Sequence, residues 1–370
     1  LKKSFMQEYI NPALRLENGR AVEGNIRWKS PSNIAIVKYW GKYGQQLPRN
    51  PSISLTLQNA CTDTTLQYFP KSGKPSEEIS LKFSFEGAPK PVFEKKIKDY
   101  LESLLPIFPF LQQLELHIHS SNSFPHSTGI ASSASSMSAL ALCLCTLEQT
   151  HFGTLSSEES FLQKASFIAR LGSGSACRSV FPLAAIWGTS PAFPYSSDLY
   201  AQPIGHQLHP IFQTMHDDIL IVSKKEKRVS SRAGHELMEN NPYAASRYQQ
   251  AQSNTILLAH AMQHGDLETF GQIAESEALT LHALMMASKP PFILLHPRTL
   301  QIINTVRQYR QDTGKPVYFT LDAGPNIHLL YPDEIYEDIQ AFTRTELLPA
   351  CEDGLRIQDQ TGPGPLHIRD

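Results

Sequence analysis

The sequence predicts a protein of mixed helices and strands in two domains, and three observations carry that expectation. At 370 residues the chain is long for a single core. Short β-branched runs, as at residues 33–40 and 316–321, interleave with helical patterns, as at 161–171 and 297–313. An irregular stretch at 191–197 then separates two halves, and we place the domains at 1–205 and 206–370.

Composition narrows the function classes. A hydrophobic fraction of 41% is ample for globular packing, and a net charge of −2 argues against the broad basic surface that nucleic acid requires. No apolar run approaches ~18 residues, so no membrane partner is expected. The opening Leu1-Lys-Lys-Ser-Phe-Met-Gln-Glu lacks the apolar core of a signal peptide. The five cysteines (Cys61, Cys143, Cys145, Cys177, Cys351) form no CxxC pair, which fits buried thiols in a reducing, cytoplasmic compartment.

Residues 1–27 are weakly patterned and read as an extension over the surface. Residues 33–40 read as a strand, with Ile34, Ile36, Lys38 and Trp40 on one face. An ammonium there is costly unless it is paired or reaches an anion; alternatively the strand lies at an edge and the lysine reaches water. Lys42 follows Gly41, so two cations and the Tyr39 hydroxyl gather at one strand end. Residues 47–57 alternate as a strand, with 64–69 as its expected pairing partner. Residues 70–92, rich in Gly, Pro, Ser and Lys, read as an exposed excursion. A helix over 93–105 places Ile97, Tyr100, Leu101 and Leu104 on one face, and a strand over 114–118 follows.

The stretch Ser123-Phe-Pro-His-Ser-Thr-Gly-Ile-Ala-Ser-Ser-Ala-Ser-Ser-Met137 joins that strand to a small-residue helix over 137–145. A strand, a Gly/Ser turn and a helix gather free N–H groups and a positive helix end, which together hold a phosphate. The plain alternative is a polar linker. No Gly-Lys-Ser/Thr follows, so it is not a Walker loop. A second such turn, Gly172-Ser-Gly-Ser-Ala-Cys-Arg-Ser179, carries Arg178, whose planar fork suits carboxylate or phosphate.

The second half opens with a strand over 219–223 and the basic cluster Lys224-Lys-Glu-Lys-Arg-Val-Ser-Ser231, which reads equally as a solvated hairpin tip. Helical patterns cover 243–265, 267–287 and 297–313. The strand at 316–321 ends in Asp322-Ala-Gly-Pro-Asn326, and 327–331 resumes as its partner. Asp322 either serves an active site placed on this loop or caps its own turn. Taken together, two anion-holding loops, the cations Lys38, Lys42 and Arg178, and one carboxylate point to phosphoryl transfer from a nucleotide to an anionic small molecule. No G-x-S-x-G elbow is present for a serine nucleophile.

The run Pro125-x-x-x-Gly129-Ile-Ala-Ser-Ser-Ala134 resembles the phosphate loop of the GHMP kinase superfamily. Ala131, where most of its kinases carry Gly, narrows the resemblance to the mevalonate diphosphate decarboxylase family. So do Asn33-Ile-Ala-Ile-Val-Lys-Tyr-Trp-Gly-Lys42, the Gly172–Ser179 turn, Asp322-Ala-Gly-Pro-Asn326 and Gly362-Pro-Gly-Pro365, all in the family's order. The resemblance implies an α+β, two-domain GHMP kinase-like fold. Its N-terminal domain is like ribosomal protein S5 domain 2, its C-terminal domain is ferredoxin-like, and the active site lies in the cleft. It further implies a homodimer and an ATP- and Mg²⁺-dependent conversion of mevalonate 5-diphosphate to isopentenyl diphosphate by 3-phosphorylation, in isoprenoid synthesis.

Carried over by position, Asp322 orients or deprotonates the 3-hydroxyl, with Lys38 and Arg178 as the other catalytic groups. Tyr39, Lys42, Ser173, Gly174, Ser175 and Arg178 hold substrate, lined also by Ser230 and Ser231. Pro125, Ser127, Gly129, Ala131, Ser132 and Ser133 hold ATP, and Ser132 and Ser133 the Mg²⁺ as well. The chain departs from the family at His126-Ser-Thr128, Ser135-Ser136, Phe181-Pro182 and Pro51, and carries Lys95, Lys96 and Lys98 where arginines are common. The sibling readings are a decarboxylase of mevalonate monophosphate and a mevalonate 3-kinase. An inactive anion-binding relative is the reading from another class.

Overall fold

The computed structural model describes residues 7–17, 22–71, 78–125, 132–225 and 231–369, with backbone alone at 231–233. The larger sheet takes strands β1 (Gly24–Val37), β2 (Ser52–Pro70), β3 (Ser80–Phe85), β4 (Leu114–Asn122) and β5 (Ala184–Trp187). The smaller holds β6 (His216–Leu220), β7 (Tyr318–Thr320) and β8 (Ile327–Tyr331), and the last strand, β9 (Leu366–Ile368), returns to the larger sheet. The larger sheet runs β9-β1-β2-β4-β3, with β5 against the first residues of β2; β3 and β4 are its parallel pair. The smaller runs β7-β8-β6 and ends on residues 356–357.

Helices α1 (Pro91–Ser103), α2 (Ser132–Phe152) and α3 (Glu158–Gly172) pack with the larger sheet around Leu66, Leu101, Leu116 and Phe167. α2 is apolar nearly all round because it is buried nearly all round. A second core joins Ile34, Ile36 and Ile53 of the larger sheet to Ile219 and Leu330 of the smaller. It is filled by Leu258 of α4 (Ala244–His264) and Phe270 of α5 (Leu267–Met286). Local signals set the helix ends: Asp266 caps α5 by accepting from the Thr269 N–H at 3.0 Å. Gly265 ends α4, and Gly314 ends α6 (Pro297–Thr313), both in the left-handed region. Among the described residues no helix is long and apolar enough to cross a membrane.

Several expectations from sequence need correction. β1 starts nine residues before Asn33 and stops at Val37, so Lys38, Tyr39 and Trp40 lie beyond its end. Pro31 is tolerated because the register breaks there, passing from Pro31↔Cys61 to Asn33↔Thr56. Residues 64–69 do not pair with 47–57, because 52–57 and 64–69 belong to the single strand β2, while Leu47 and Pro48 pair with Tyr43 and Lys42. The exposed excursion holds β3, which pairs with β4. The opening segment is not merely laid on the surface: Leu14, Leu16 and Val22 are buried, and Gln113 hydrogen-bonds both backbone groups of Leu16.

The register break fixes where Lys38 emerges, and it has an evident support. The β2 residues 57–60 bulge out of the β1 ladder, and Asp359 accepts the N–H groups of Gln58, Asn59 and Ala60 at 2.7–2.8 Å. Without that carboxylate the buried Ala60 N–H loses its acceptor, and the Gln58 N–H keeps only the Gln360 carbonyl at 3.0 Å. Asp359→Ala is therefore expected to cost about 2–4 kcal/mol, measured by urea unfolding, and Asp359→Asn a smaller amount.

Candidate active site

A cavity of about 760 Å³ opens where the end of β1, the turn after α3 and the loop after β7 meet. Lys38, Tyr39, Lys42, Ser133, Ser173, Gly174, Ser175, Arg178 and Asp322 all line it, so nine residues singled out from sequence come together. Four cationic side chains (Lys38, Lys42, Lys96, Arg178) face two carboxylates (Asp99, Asp322) across it. In a chain whose net charge is −2, such a concentration of positive charge suits a polyanion.

Lys38 is 2% exposed, and its ammonium reaches Asp322 Oδ1 at 3.0 Å; Asp322 is 30% exposed. The strand-edge alternative for Lys38 is thereby excluded. Burial pushes the ammonium down in pKa, opposed by Asp322 and by Glu277. The Lys38 backbone is held as firmly. Its N–H donates to Glu277 Oε2 at 2.8 Å, and its carbonyl accepts from Asn50 at 3.0 Å and from Arg247 at 3.1 Å. Glu277 of α5 is fully buried, and it also accepts from Arg247 of α4 at 2.7 Å and from Asn254.

Asp322 sits just past β7. Its carbonyl accepts from the Gly324 N–H at 2.7 Å and from His282 Nε2 at 3.2 Å. Asn326 fixes the far end of the turn, accepting from the Ser223 N–H and donating to the Ser223 carbonyl. The aspartate is thus presented by a loop anchored at both ends.

Arg178 lies in the 3₁₀ turn Gly174–Val180 and is 2% exposed. It donates to Ser52 at 2.6 Å, to Ser54 at 3.0 Å and to Asn33 at 3.3–3.4 Å. These partners are neutral, and burial pushes the guanidinium down. Its charge is therefore held ready for an anion in the cavity. Gly174 is required by close approach, since a Cβ there would stand 2.9 Å from both the Tyr39 and Trp187 rings.

The Ser123–Met137 stretch is described only at its edges. Ser127, Gly129 and Ala131 lie outside the described residues, and Pro125 before them is exposed. The helix begins at Ser132, five residues earlier than the sequence suggested. Ser132 and Ser133 form its first turn, with Ser133 at the cavity and its hydroxyl 3.2 Å from that of Ser173. Ser135 is buried and hydrogen-bonds Thr62, and Ser136 donates to the Ser132 carbonyl, so both departures from the family are internally used. Ser230 also lies outside the described residues, and Ser231 begins the short helix Ser231–Glu236.

A second concavity of about 220 Å³ adjoins the first, sharing Lys96, Ser133 and Met137 with it. Phe83, Phe85, Phe93, Ile97 and Leu140 make its walls apolar. Of the three lysines on α1, Lys96 faces this junction, while Lys95 pairs with Asp99 and Lys98 lies near Glu78 and Glu102. Sequence reasoning missed this pocket along with Asn33, Ser52, Ser54, Glu277, Arg247, His282 and His235. Asn33 stood within a quoted motif; Glu277 carried a signal as an acid between Ala274, Ala278 and Leu281 on the buried side of α5.

His235 packs between Tyr39 (ring centroids 4.2 Å) and Trp40 (4.7 Å), and its Nδ1 accepts the Gly41 N–H at 3.0 Å. Burial, reinforced by the Lys42 cation, pushes its imidazole down to about 3. An unfolded chain protonates this group near pH ~6.5 while the folded state stays neutral, so stability falls as pH drops below that value and levels off near the folded pKa. By about pH 5 the loss is roughly 2 kcal/mol. His235→Phe is expected to remove that part, read as a smaller shift of the urea midpoint between about pH 7.5 and about pH 5.

Known proteins are similar to this chain in sequence and in fold. Models for the diphosphomevalonate decarboxylase-like N-terminal domain and the mevalonate 5-diphosphate decarboxylase C-terminal domain match residues 30–198 and 218–360. The diphosphomevalonate decarboxylase of Ganoderma lucidum is 30% identical over 326 residues, spanning 84% of this chain and 79% of that one. The solved mevalonate diphosphate decarboxylase of Enterococcus faecalis aligns with a TM-score of 0.78 at 26% identity, covering 94% of this chain and 100% of its own. The solved structure of MDDEF in complex with MVAPP, AMPPCP and magnesium aligns at 28% identity with a TM-score of 0.78 and the same coverage. With both domain models matched in order and the two-domain, α+β GHMP kinase-like fold shared along nearly its whole length, the chain belongs to the mevalonate diphosphate decarboxylase family.

Proposed function

We propose that the chain converts mevalonate 5-diphosphate to isopentenyl diphosphate, CO₂ and phosphate, with ATP as phosphoryl donor. The observation that carries this is the Lys38–Asp322 pair at the wall of a positively charged cavity, opposite an arginine whose hydrogen-bond partners are neutral. It is supported by family membership and by the relatives described with mevalonate diphosphate and ATP.

The substrate's anionic groups go to Arg178, Lys42, Tyr39 and the 173–175 turn. The 3-hydroxyl goes to Asp322, whose carboxylate is oriented by Lys38 at 3.0 Å. Asp322 accepts the hydroxyl proton as the oxygen attacks the γ-phosphorus and ADP leaves. The new phosphate group then departs with the C3–O electron pair. The bond to the carboxylate breaks, its electrons close the double bond, and CO₂ is released. Lys38 balances negative charge beside the acceptor, so positioning and electrostatics supply most of the catalysis.

ATP fits the remaining features. The apolar pocket of Phe83, Phe85 and Phe93 takes the base, while Lys96 and the first turn of α2, with Ser132 and Ser133, take the phosphates. Among the described residues no group of three His, Cys, Asp or Glu could hold a metal. Mg²⁺ is therefore assigned to the ATP phosphates with the Ser132 and Ser133 hydroxyls, where it would neutralise phosphate charge. A cytoplasmic location and a homodimeric state complete the proposal. The first is supported by five free, buried cysteines, and light scattering reads the second.

Incubation of the purified protein with ATP, Mg²⁺ and mevalonate diphosphate is expected to release CO₂, ADP and phosphate in equal amounts. Transfer of phosphate to the substrate without CO₂ would instead establish a 3-kinase. Asp322→Asn is expected to fold and to bind ATP normally while losing about a thousandfold or more in kcat; a near-normal rate would reject the assigned role.

A further inference from the structure

We infer that His235 is a substrate-specificity residue whose neutral Nε2–H donates a hydrogen bond to the diphosphate group of the substrate. The inference rests on the proposed reaction, because that reaction names the anion in the cavity.

The geometry fixes what the ring can offer. Nδ1 accepts the Gly41 N–H at 3.0 Å, so it carries no proton, and the proton of the neutral ring is on Nε2. Tyr39 and Trp40 hold the imidazole from either side, so its orientation is set before any ligand arrives. The residue is 8% exposed and lines the cavity. Among the described residues Nε2 has no hydrogen-bond partner, and neither has the buried hydroxyl of the adjoining Tyr39. The buried Tyr39 hydroxyl without a partner costs stability that a ligand oxygen recovers on binding, and the same ligand is within the cavity that His235 lines.

The neighbours point to the diphosphate rather than to the reacting carbon. Lys42 lies close enough for its charge to bear on the ring. Gly234, just before His235, allows the short helix to seat on Trp40, since a Cβ there would stand 2.4 Å from the indole. The imidazole thus belongs to the Lys42 and Tyr39 end of the cavity. Because Lys42 and burial both disfavour a second proton, His235 contributes a directional donor and not a charge. It discriminates by hydrogen-bond geometry where Lys42 attracts any anion.

Saturation kinetics and direct binding test this together. His235→Phe keeps a ring for the stack and removes both the Nε2 donor and the acceptor of the Gly41 N–H, whereas His235→Gln restores one of each. It is expected to raise KM for mevalonate diphosphate about 10- to 100-fold, with kcat and the KM for ATP within about threefold. His235→Gln, which offers both an acceptor and a donor, is expected to recover most of that loss. Calorimetric titration with inorganic pyrophosphate should show parallel weakening in His235→Phe, and this readout holds even if mevalonate diphosphate is not turned over by the wild type. An unchanged KM and unchanged pyrophosphate affinity in His235→Phe would overturn the assignment. So would a kcat loss with KM intact, and so would a His235→Gln variant no better than His235→Phe. Absence of wild-type turnover with pyrophosphate binding still dependent on His235 would reject the proposed reaction and leave this site standing.

Discussion

The ion pair between Lys38 and Asp322 ties together segments 284 residues apart, and much of the architecture holds its two ends in register. A buried ammonium is tolerated only when its partner is fixed at hydrogen-bonding distance, because desolvation otherwise exceeds the attraction. On one side the register break in β1 sets where the chain leaves the larger sheet, and Glu277, Arg247 and Asn50 hold the Lys38 backbone. On the other, His282 and Asn326 hold the aspartate's turn against α5 and the end of β6. The side chains meet because the main chain at each end has few alternatives.

The second buried pair explains why this arrangement sits between the sheets. Arg247 and Glu277 are carried by α4 and α5, which pack against the exit of β1. An ion pair this deep contributes little net stability, since its desolvation cost offsets the attraction. Its value here is geometric: Glu277 takes the Lys38 N–H and Arg247 takes the Lys38 carbonyl, so one pair determines both backbone groups. Arg178 follows a different logic. It is surrounded by hydroxyls and an amide, which orient the guanidinium without neutralising it. One cation is balanced in place, and the other keeps its field for a ligand.

What could be read from sequence was local. The helix at 297–313 and the partner strand at 327–331 are set by periodicity within a few turns, and they stand as expected. Asp322, Lys38 and Arg178 were legible because turn chemistry and an ammonium in an apolar run are short-range signals. The continuity of β2 was not, since its bulge depends on Asp359, some 300 residues away. β3 was hidden in a stretch whose Gly, Pro, Ser and Lys content reads as loop, although Phe83 and Phe85 are buried there. Arg247 looks like an ordinary helix-surface charge until the packing of α4 and α5 encloses it, and the apolar neighbours of Glu277 mark it as buried without naming its partners. His235 follows a basic run and owes its meaning to Gly41, Tyr39 and Trp40, which no spacing places beside it.

The division of the site into a wide polar cavity and a narrow apolar pocket gives the reaction its order in space. The two share Lys96, Ser133 and Met137, so groups placed in each would meet at the start of α2. A helix N-terminus attracts phosphate without requiring a charged side chain, while the Asp322 carboxylate is paired with Lys38. The two ends of the site are therefore governed by different physics: backbone dipoles at the start of α2, and an ion pair with a buried ammonium at Lys38 and Asp322. Residues that alter one can vary without disturbing the other. The start of α2 accordingly carries Ser135 and Ser136, satisfied by Thr62 and by the helix itself, with no hydrogen bond between them and the Lys38–Asp322 pair among the described contacts.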